Sequence, residues 1–151
     1  MSMSGATNRR RGITTERALV RWLRANGWPN AERSVVTGYR THNRERRDGG
    51  DITGTPGIVW SLKDHTVERI PQWWTELKRM GGGRLRLLVV KNRGHANPGD
   101  WWCWLPLTTL TTLQPHPGND LVRCQLSTVA ALLRAAGYGQ PPVKRGDPDA
   151  A

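Results

Sequence analysis

The feature that most constrains the fold is a largely apolar run, LRLLVV, between Arg84 and Lys91. Such a run is typical of a strand that is buried on both faces, and this kind of strand needs a covering layer on each side. A helical pattern from Ile70 to Met80 precedes it and is stopped by three glycines. The sequence therefore predicts a sheet with helices packed against it.

The other segments extend this pattern. We predict further helices over Thr14–Asn26, with Thr14 as the cap and Gly27 as the stop, and over Leu126–Ala136. Further strands are expected at residues 31–40 and in WWCWLPL, where Pro106 ends the strand. The predicted fold class is α/β, with a mixed sheet flanked by helices.

The chain of 151 residues is long enough for one core. We predict a flexible basic arm over residues 1–12, a folded domain over 13–138 and a disordered tail, rich in proline and glycine, over 139–151. Residues 41–50 are polar and predict a mobile loop.

The charge of the chain indicates a polyanionic partner. Lys and Arg number 23 against 12 Asp and Glu, which gives a formal net charge of +11. Basic side chains near phosphates release condensed counterions. No apolar run approaches the roughly 20 residues that span a bilayer, and the N-terminus has no secretory pattern. Cys103 and Cys124 lack metal-ligand spacing, so we expect reduced, structural cysteines in a cytoplasmic protein.

Glu16 is the first candidate site residue. It shares a helix face with Leu19, Val20 and Leu23 through the i, i+3, i+4, i+7 spacing. A carboxylate at the edge of a core-facing stripe is costly unless a cation, a donor or a metal meets it. A solvated glutamate in the first turn of a helix is the alternative.

The second candidate is the stretch from Asp51 to Lys63, which predicts a β-hairpin with a turn at residues 54–57. Alternation along IVWSLK places Trp60 on a core face and Ser61 and Lys63 on the other. The hairpin would bring Asp51 near both of them. A strand-pair ion pair of little energetic worth is the alternative.

The segments RRRGITTERALVRWLRANGW and GGDITGTPGIVWSLK, in this order, resemble the PD-(D/E)xK nuclease superfamily. More narrowly, they resemble the archaeal-type Holliday junction resolvases and their relatives in actinobacterial phages. The resemblance covers a little over a third of the chain well, and residues 72–107 fit it more loosely. It implies a restriction-endonuclease-like sheet, a homodimer, and hydrolysis of phosphodiesters that depends on Mg²⁺, with Mn²⁺ as a substitute.

Carried over by position, the resemblance makes Asp51 the principal metal ligand and Glu16 the carboxylate of the first helix. Lys63 becomes the lysine that polarises the attacking water. These roles suit the chemistry, because a divalent ion on carboxylate oxygens neutralises the phosphodiester and generates hydroxide. A neighbouring lysine stabilises the developing charge.

Ser61 departs from the family pattern, which expects a carboxylate two residues before the lysine. Three explanations remain open. The acid has migrated to Glu76 or Glu68 in or near the following helix; Glu16, Asp51, a carbonyl and waters suffice; or catalysis is lost and DNA binding is retained.

The predicted DNA contacts are basic residues that flank these motifs. They are Arg9, Arg10, Arg11, His42, Arg44, Arg46, Arg47 and His65. The leading functional expectation is an endonuclease for branched DNA, in the host cytoplasm if the gene belongs to a phage. The alternatives are a nicking or restriction-like nuclease of the same superfamily and a non-catalytic DNA-binding accessory protein.

Overall fold

The computed structural model describes residues 5–34, 50–111 and 120–142. In chain order these residues form α1 (Gly5–Ala25), β1 (Glu32–Arg33), β2 (Ile52–Thr53), β3 (Ile58–Lys63), α2 (Ile70–Lys78), β4 (Leu85–Val90), a short 3-10 helix (Pro98–Asp100), β5 (Trp102–Pro106), α3 (Leu107–Leu110), β6 (Leu121–Gln125) and α4 (Leu126–Ala135).

The main sheet has four strands in the order β3-β4-β5-β6. Strands β3 and β4 are parallel and are connected through α2, whereas β4–β5 and β5–β6 are antiparallel. A separate two-stranded antiparallel sheet pairs β1 with β2. The predicted α/β class, a mixed sheet with flanking helices, is confirmed.

Strand β4 is covered on both faces, as its sequence predicts. Leu87 and Val89 pack into a core with α1 and α4, and Leu88 and Val90 pack into a second core with α2. All four side chains are buried. None of the helices in the described parts of the chain is long and apolar enough to cross a membrane.

The prediction of a flexible arm over residues 1–12 is wrong for residues 5–12, which form about the first two turns of α1. Thr14 is not the cap, since its hydroxyl donates to the Arg10 carbonyl within the helix. Arginine favours helix, but a polar segment has no apolar periodicity to reveal it. Residues 1–4 lie outside the described part.

The prediction of a hairpin is also wrong. Strand β2 pairs with β1, with Arg33 opposite Ile52, and β3 pairs with β4. A parallel bridge joins Gly50, the residue before the predicted hairpin, to Trp60 in β3. The physical reason is burial: Val59 and Trp60 point to opposite faces and are both fully buried, and a two-stranded hairpin cannot cover both faces.

Three other boundaries differ. Of the predicted strand 31–40 the structure describes residues 31–34, and Glu32–Arg33 among them are strand. Residues 35–49, which include most of the predicted loop, lie outside the description. Strand β6 was not predicted. The domain also extends past residue 138, because the Gln140 N–H donates to the Gly27 carbonyl (2.7 Å). Residues 143–151 are not described.

Candidate active site

Asp51 lies along the outer edge of β3. Its N–H donates to the Trp60 carbonyl (2.8 Å), and its Oδ2 accepts from the Leu62 N–H (2.7 Å). Strand β3 is the outer strand of the sheet, and β4 pairs with its other side. Without the Asp51 carboxylate, the Leu62 N–H would therefore be an unsatisfied donor at the sheet edge. The hydrogen bond fixes the Asp51 carboxylate next to the Ser61–Lys63 segment, the proximity that the sequence predicts, although by a different pairing.

Gly50 makes this approach possible. Its φ is +68°, and a Cβ at this position would collide with the Trp60 carbonyl oxygen. A glycine tolerates both conditions because it has no side chain. The glycine before Asp51 is therefore required by the position of the carboxylate.

Lys63 points to the α2 side of the sheet. Its Nζ lies 5.8 Å from the centroid of the Trp73 ring, and the His65 ring lies 5.3 Å from the same ring. Partial burial first, and then the positive charges of Lys63 and Arg11, lower the pKa of His65 below its ordinary value. Lys63 and His65 thus lie against the same Trp73 ring, and the lowered pKa favours the neutral form of His65.

Glu16 has the position that the helical spacing predicts. Leu19, Val20 and Leu23 are buried, while Glu16 lies at the edge of their stripe. A cation meets its carboxylate: Arg33 Nε donates to Oε2 at 2.8 Å.

Strand β1 connects the two predicted carboxylates. Arg33, the partner of Glu16, lies opposite Ile52, the residue after Asp51, and the Ser34 N–H donates to the Asp51 carbonyl (3.0 Å). Glu16 and Asp51 therefore flank the same short two-stranded sheet.

Glu68 and Glu76, the proposed replacements for the missing acid, are both exposed. Glu76 lies on α2 next to the buried Leu77, and Glu68 precedes that helix. In the parts of the chain that the structure describes, no group of three or more His, Cys, Asp or Glu side chains is arranged to hold a metal ion.

The described donors fit only one kind of magnesium site. Mg²⁺ keeps several waters and is commonly held by one or two carboxylates together with substrate phosphates. Asp51 and Glu16 adjoin the same two-stranded sheet and are the two carboxylates that such an ion would use, and Glu16 would first have to release Arg33. An ion held by three acidic side chains does not fit these residues.

Sequence reasoning missed Asp64, the residue after Lys63. Its side chain is only 7% exposed and accepts a hydrogen bond from the Thr15 hydroxyl (2.8 Å). Three cations surround it: Arg11 Nε at 3.8 Å, Lys91 Nζ at 3.8 Å and Arg93 Nη2 at 3.6 Å. Alternation from Trp60 was the available signal, since it directs Asp64 towards α1.

His65 lies against Trp73, and the other seven predicted DNA contacts fall into three groups. Arg9 and Arg10 are exposed on the first turns of α1, and Arg11 is bound to Asp64. The loop residues His42, Arg44, Arg46 and Arg47 lie outside the described residues.

A further basic surface lies along α1, close to Glu16. A groove of about 620 Å³ is lined mainly by arginines, with the full lining being Thr14, Arg17, Val20, Arg21, Arg24, Glu32 and Arg33. A groove of this charge suits an anionic ligand.

Neither protein-family models nor curated proteins nor solved structures match this chain.

Proposed function

We propose that this protein is a metal-dependent endonuclease that hydrolyses phosphodiester bonds in branched DNA, with the four-way Holliday junction as its substrate. The observation that carries the proposal is the Asp51 carboxylate, which the Leu62 N–H holds beside Ser61 and Lys63. A carboxylate fixed one residue from a lysine suits metal-assisted attack on a phosphodiester, because the carboxylate can hold the ion and the lysine can stabilise developing charge.

Each residue has a role in the proposed reaction. Asp51, with Glu16, would hold a magnesium ion, which supplies charge neutralisation and a more acidic bound water. Lys63 would stabilise negative charge that develops on the phosphate. Arg33 would hold Glu16 in place until the ion is bound, because its Nε already orients that carboxylate.

The partner in the proposal is DNA. The net charge of +11 and the arginine-lined groove beside Glu16 both favour a polyanion. Cleavage of the two strands of a junction calls for two active sites, so the proposal includes a homodimer and a restriction-endonuclease-like fold. The proposed setting is the cytoplasm, which suits the free thiols of Cys103 and Cys124.

The test is cleavage of a labelled four-way junction and of a linear duplex of the same arm sequence, with Mg²⁺, Mn²⁺ or chelator. We expect cleavage of the junction with either ion and none in chelator. Preferential cleavage of the linear duplex would indicate the nicking or restriction-like alternative instead. Absence of cleavage of both substrates with both ions would refute the enzymatic proposal.

A second candidate is a non-catalytic DNA-binding protein. Two observations favour it: Ser61 stands where a carboxylate is expected, and the Glu16 carboxylate is engaged by Arg33. This candidate expects an inert native protein, in which Ser61→Glu could restore cleavage by returning an acid to the strand.

The same assay separates the explanations for Ser61. If Glu76 replaces the missing acid, Glu76→Gln removes most activity and adding Ser61→Glu restores part of it. If two carboxylates suffice, Glu76→Gln leaves cleavage nearly unchanged. If Glu68 is the replacing acid instead, Glu68→Gln removes most activity, so the two-carboxylate explanation requires that both variants leave cleavage nearly unchanged.

A further inference from the structure

The cluster around Asp64 is assembled from three segments at one edge of the sheet. Asp64 follows β3, and Lys91 and Arg93 follow β4. Because these strands are parallel, their carboxyl ends lie at the same end of the sheet. The Lys91 N–H donates to the Lys63 carbonyl there (2.9 Å). Arg11 reaches the same point from α1, where its Nη2 also donates to the Asp64 carbonyl oxygen (3.3 Å).

The charges in this cluster do not cancel. Arg11, Lys91 and Arg93 contribute +3 and Asp64 contributes −1, so the four residues carry +2. A nearly buried carboxylate needs a cation or hydrogen-bond donors, but it does not need three cations. The cations themselves stay open to solvent, with side chains 32%, 30% and 46% exposed for Arg11, Lys91 and Arg93.

We infer that Arg11, Lys91 and Arg93 form a binding site for phosphates of the DNA backbone, and that Asp64 is the positioning residue which holds the three cations together. Phosphate contacts fix the register of a protein on DNA. Cations that are held before binding lose less side-chain entropy when they bind. The inference rests on the proposed function only in taking DNA as the partner.

The site lies close to the candidate active site. Asp51 is bound to the Leu62 N–H, and Asp64 is two residues further on, about 7 Å along an extended chain. Partial burial lowers the pKa of His65, and the positive charges of Lys63 and Arg11 lower it further, so cations near this end of the sheet add to the effect of burial. A backbone phosphate bound by the cluster would set which neighbouring phosphodiester reaches Asp51.

The first test measures binding of a labelled DNA duplex in chelator as a function of salt. Each cation that contacts a phosphate contributes about one unit to the slope of log affinity against log salt concentration. We expect the double variant Lys91→Gln/Arg93→Gln to reduce the slope by about 2. The matched control is Lys78→Gln/Arg79→Gln, which removes the same charge from exposed positions at the end of α2.

The control lies far from the cluster, because α2 runs from the end of β3 back to the start of β4. We expect it to leave the slope nearly unchanged. Equal reductions by both double variants would show that only the total charge matters and would overturn the inference. An unchanged slope for Lys91→Gln/Arg93→Gln would overturn it as well.

The second test addresses Asp64. Asp64→Asn raises the net charge by one, so a simple charge effect tightens binding, whereas loss of positioning weakens it. We expect weaker binding, and tighter binding would refute the positioning role. Thr15→Val removes the hydroxyl that donates to Asp64 without a change of charge, and we expect a smaller loss of the same sign. Circular dichroism and thermal unfolding identify the variants that are folded.

A competition experiment separates DNA from a small phosphate ligand, and comparison with the cleavage assay separates this site from the proposed enzyme activity. Inorganic phosphate, added at constant ionic strength, should displace the duplex no better than chloride; strong displacement would assign the site to a small phosphate ligand and refute the inference. All of these measurements are made without divalent ions. A protein that never cleaves DNA but shows the expected slopes would refute the enzyme and leave this site intact.

Discussion

Three carboxylates in the same region of the molecule meet three different partners. Asp51 accepts from a neutral backbone amide, Glu16 pairs with Arg33, and Asp64 is surrounded by three cations. A metal ion at Asp64 would have to displace these surrounding cations. The three cations around Asp64 therefore argue against Asp64 as a metal ligand.

The pKa of His65 is a measurable quantity that depends on its partial burial and on the neighbouring cations. Partial burial and the neighbouring cations lower its pKa below 6.5, so the folded protein takes up a proton less readily than the unfolded chain. The contribution of His65 to the free energy of unfolding is therefore present above about pH 6.5 and falls as the pH drops through that region. We expect NMR titration to give a pKa below 6.5 and Lys63→Gln to raise it.

The control for this titration is Lys78→Gln, which removes a lysine from the other end of α2 and should leave the pKa of His65 unchanged. A His65 pKa at or above its ordinary value in the native protein would contradict the arrangement of charges.

The two cysteines lie opposite each other on β5 and β6 but differ in exposure. Cys103 is fully buried, and burial raises the pKa of its thiol, so it remains protonated and unreactive. Cys124 is only partly buried. We expect a thiol reagent at pH 8 to modify Cys124 in the folded protein and Cys103 only after unfolding. Cys124→Ser should remove the fast phase, and rapid modification of Cys103 in this variant would contradict the packing of β5.

At the scale of elements, apolar periodicity predicted the helices and the strand that contribute side chains to the core. The buried strand β4, the helices α2 and α4, and the apolar stripe of α1 all appear near their predicted positions, because each places apolar side chains at a regular spacing. The start of α1 was missed because its exposed arginines carry no such signal. Strand β6 was missed because its side chains are only partly buried or exposed.

The hairpin shows the limit of local reasoning about the candidate site. The sequence predicts that Asp51 lies near Ser61 and Lys63, and it does lie beside them. It reaches them through a parallel bridge at Gly50, however, because β3 gains more burial against β4. Which strand pairs with which depends on long-range burial that a two-residue arm does not reveal.

Gly50 provides a prediction at this scale. Gly50→Ala should destabilise the protein by about 3 kcal/mol, because the new Cβ meets the Trp60 carbonyl and the residue needs a positive φ. Gly82→Ala is the matched control, since Gly82 also has a positive φ (+54°) but no atoms within 4 Å of a new Cβ. The control should cost about 1 to 2 kcal/mol.

Denaturant unfolding of the two variants compares the costs directly. Equal destabilisation would show that φ alone matters and that the backbone of Gly50 does not lie against Trp60. We also expect Gly50→Ala to shift Asp51 away from the Leu62 N–H and so to reduce cleavage more than Gly82→Ala does.

At the scale of the whole molecule, the fold brings the candidate site to one edge of a sheet that is covered on both faces. Asp51 lies beside Leu62 on the outer side of β3, and the cationic cluster begins just after the end of that strand. The chain supplies strong positive charge around few carboxylates, a pattern that suits a protein which holds DNA by many contacts and acts on it at one point. Asp64 belongs to this pattern but could be placed only after the register of β3 and β4 was known.

The most direct test of the account is the effect of Asp51→Asn on cleavage and binding of a four-way junction. The matched control is Asp100→Asn, the same chemical change on the short 3-10 helix. We expect the native protein and Asp100→Asn to cleave the junction with Mg²⁺, and Asp51→Asn to bind the junction in chelator without cleaving it. Cleavage by Asp51→Asn at the native rate would contradict the assignment of Asp51 as the metal ligand.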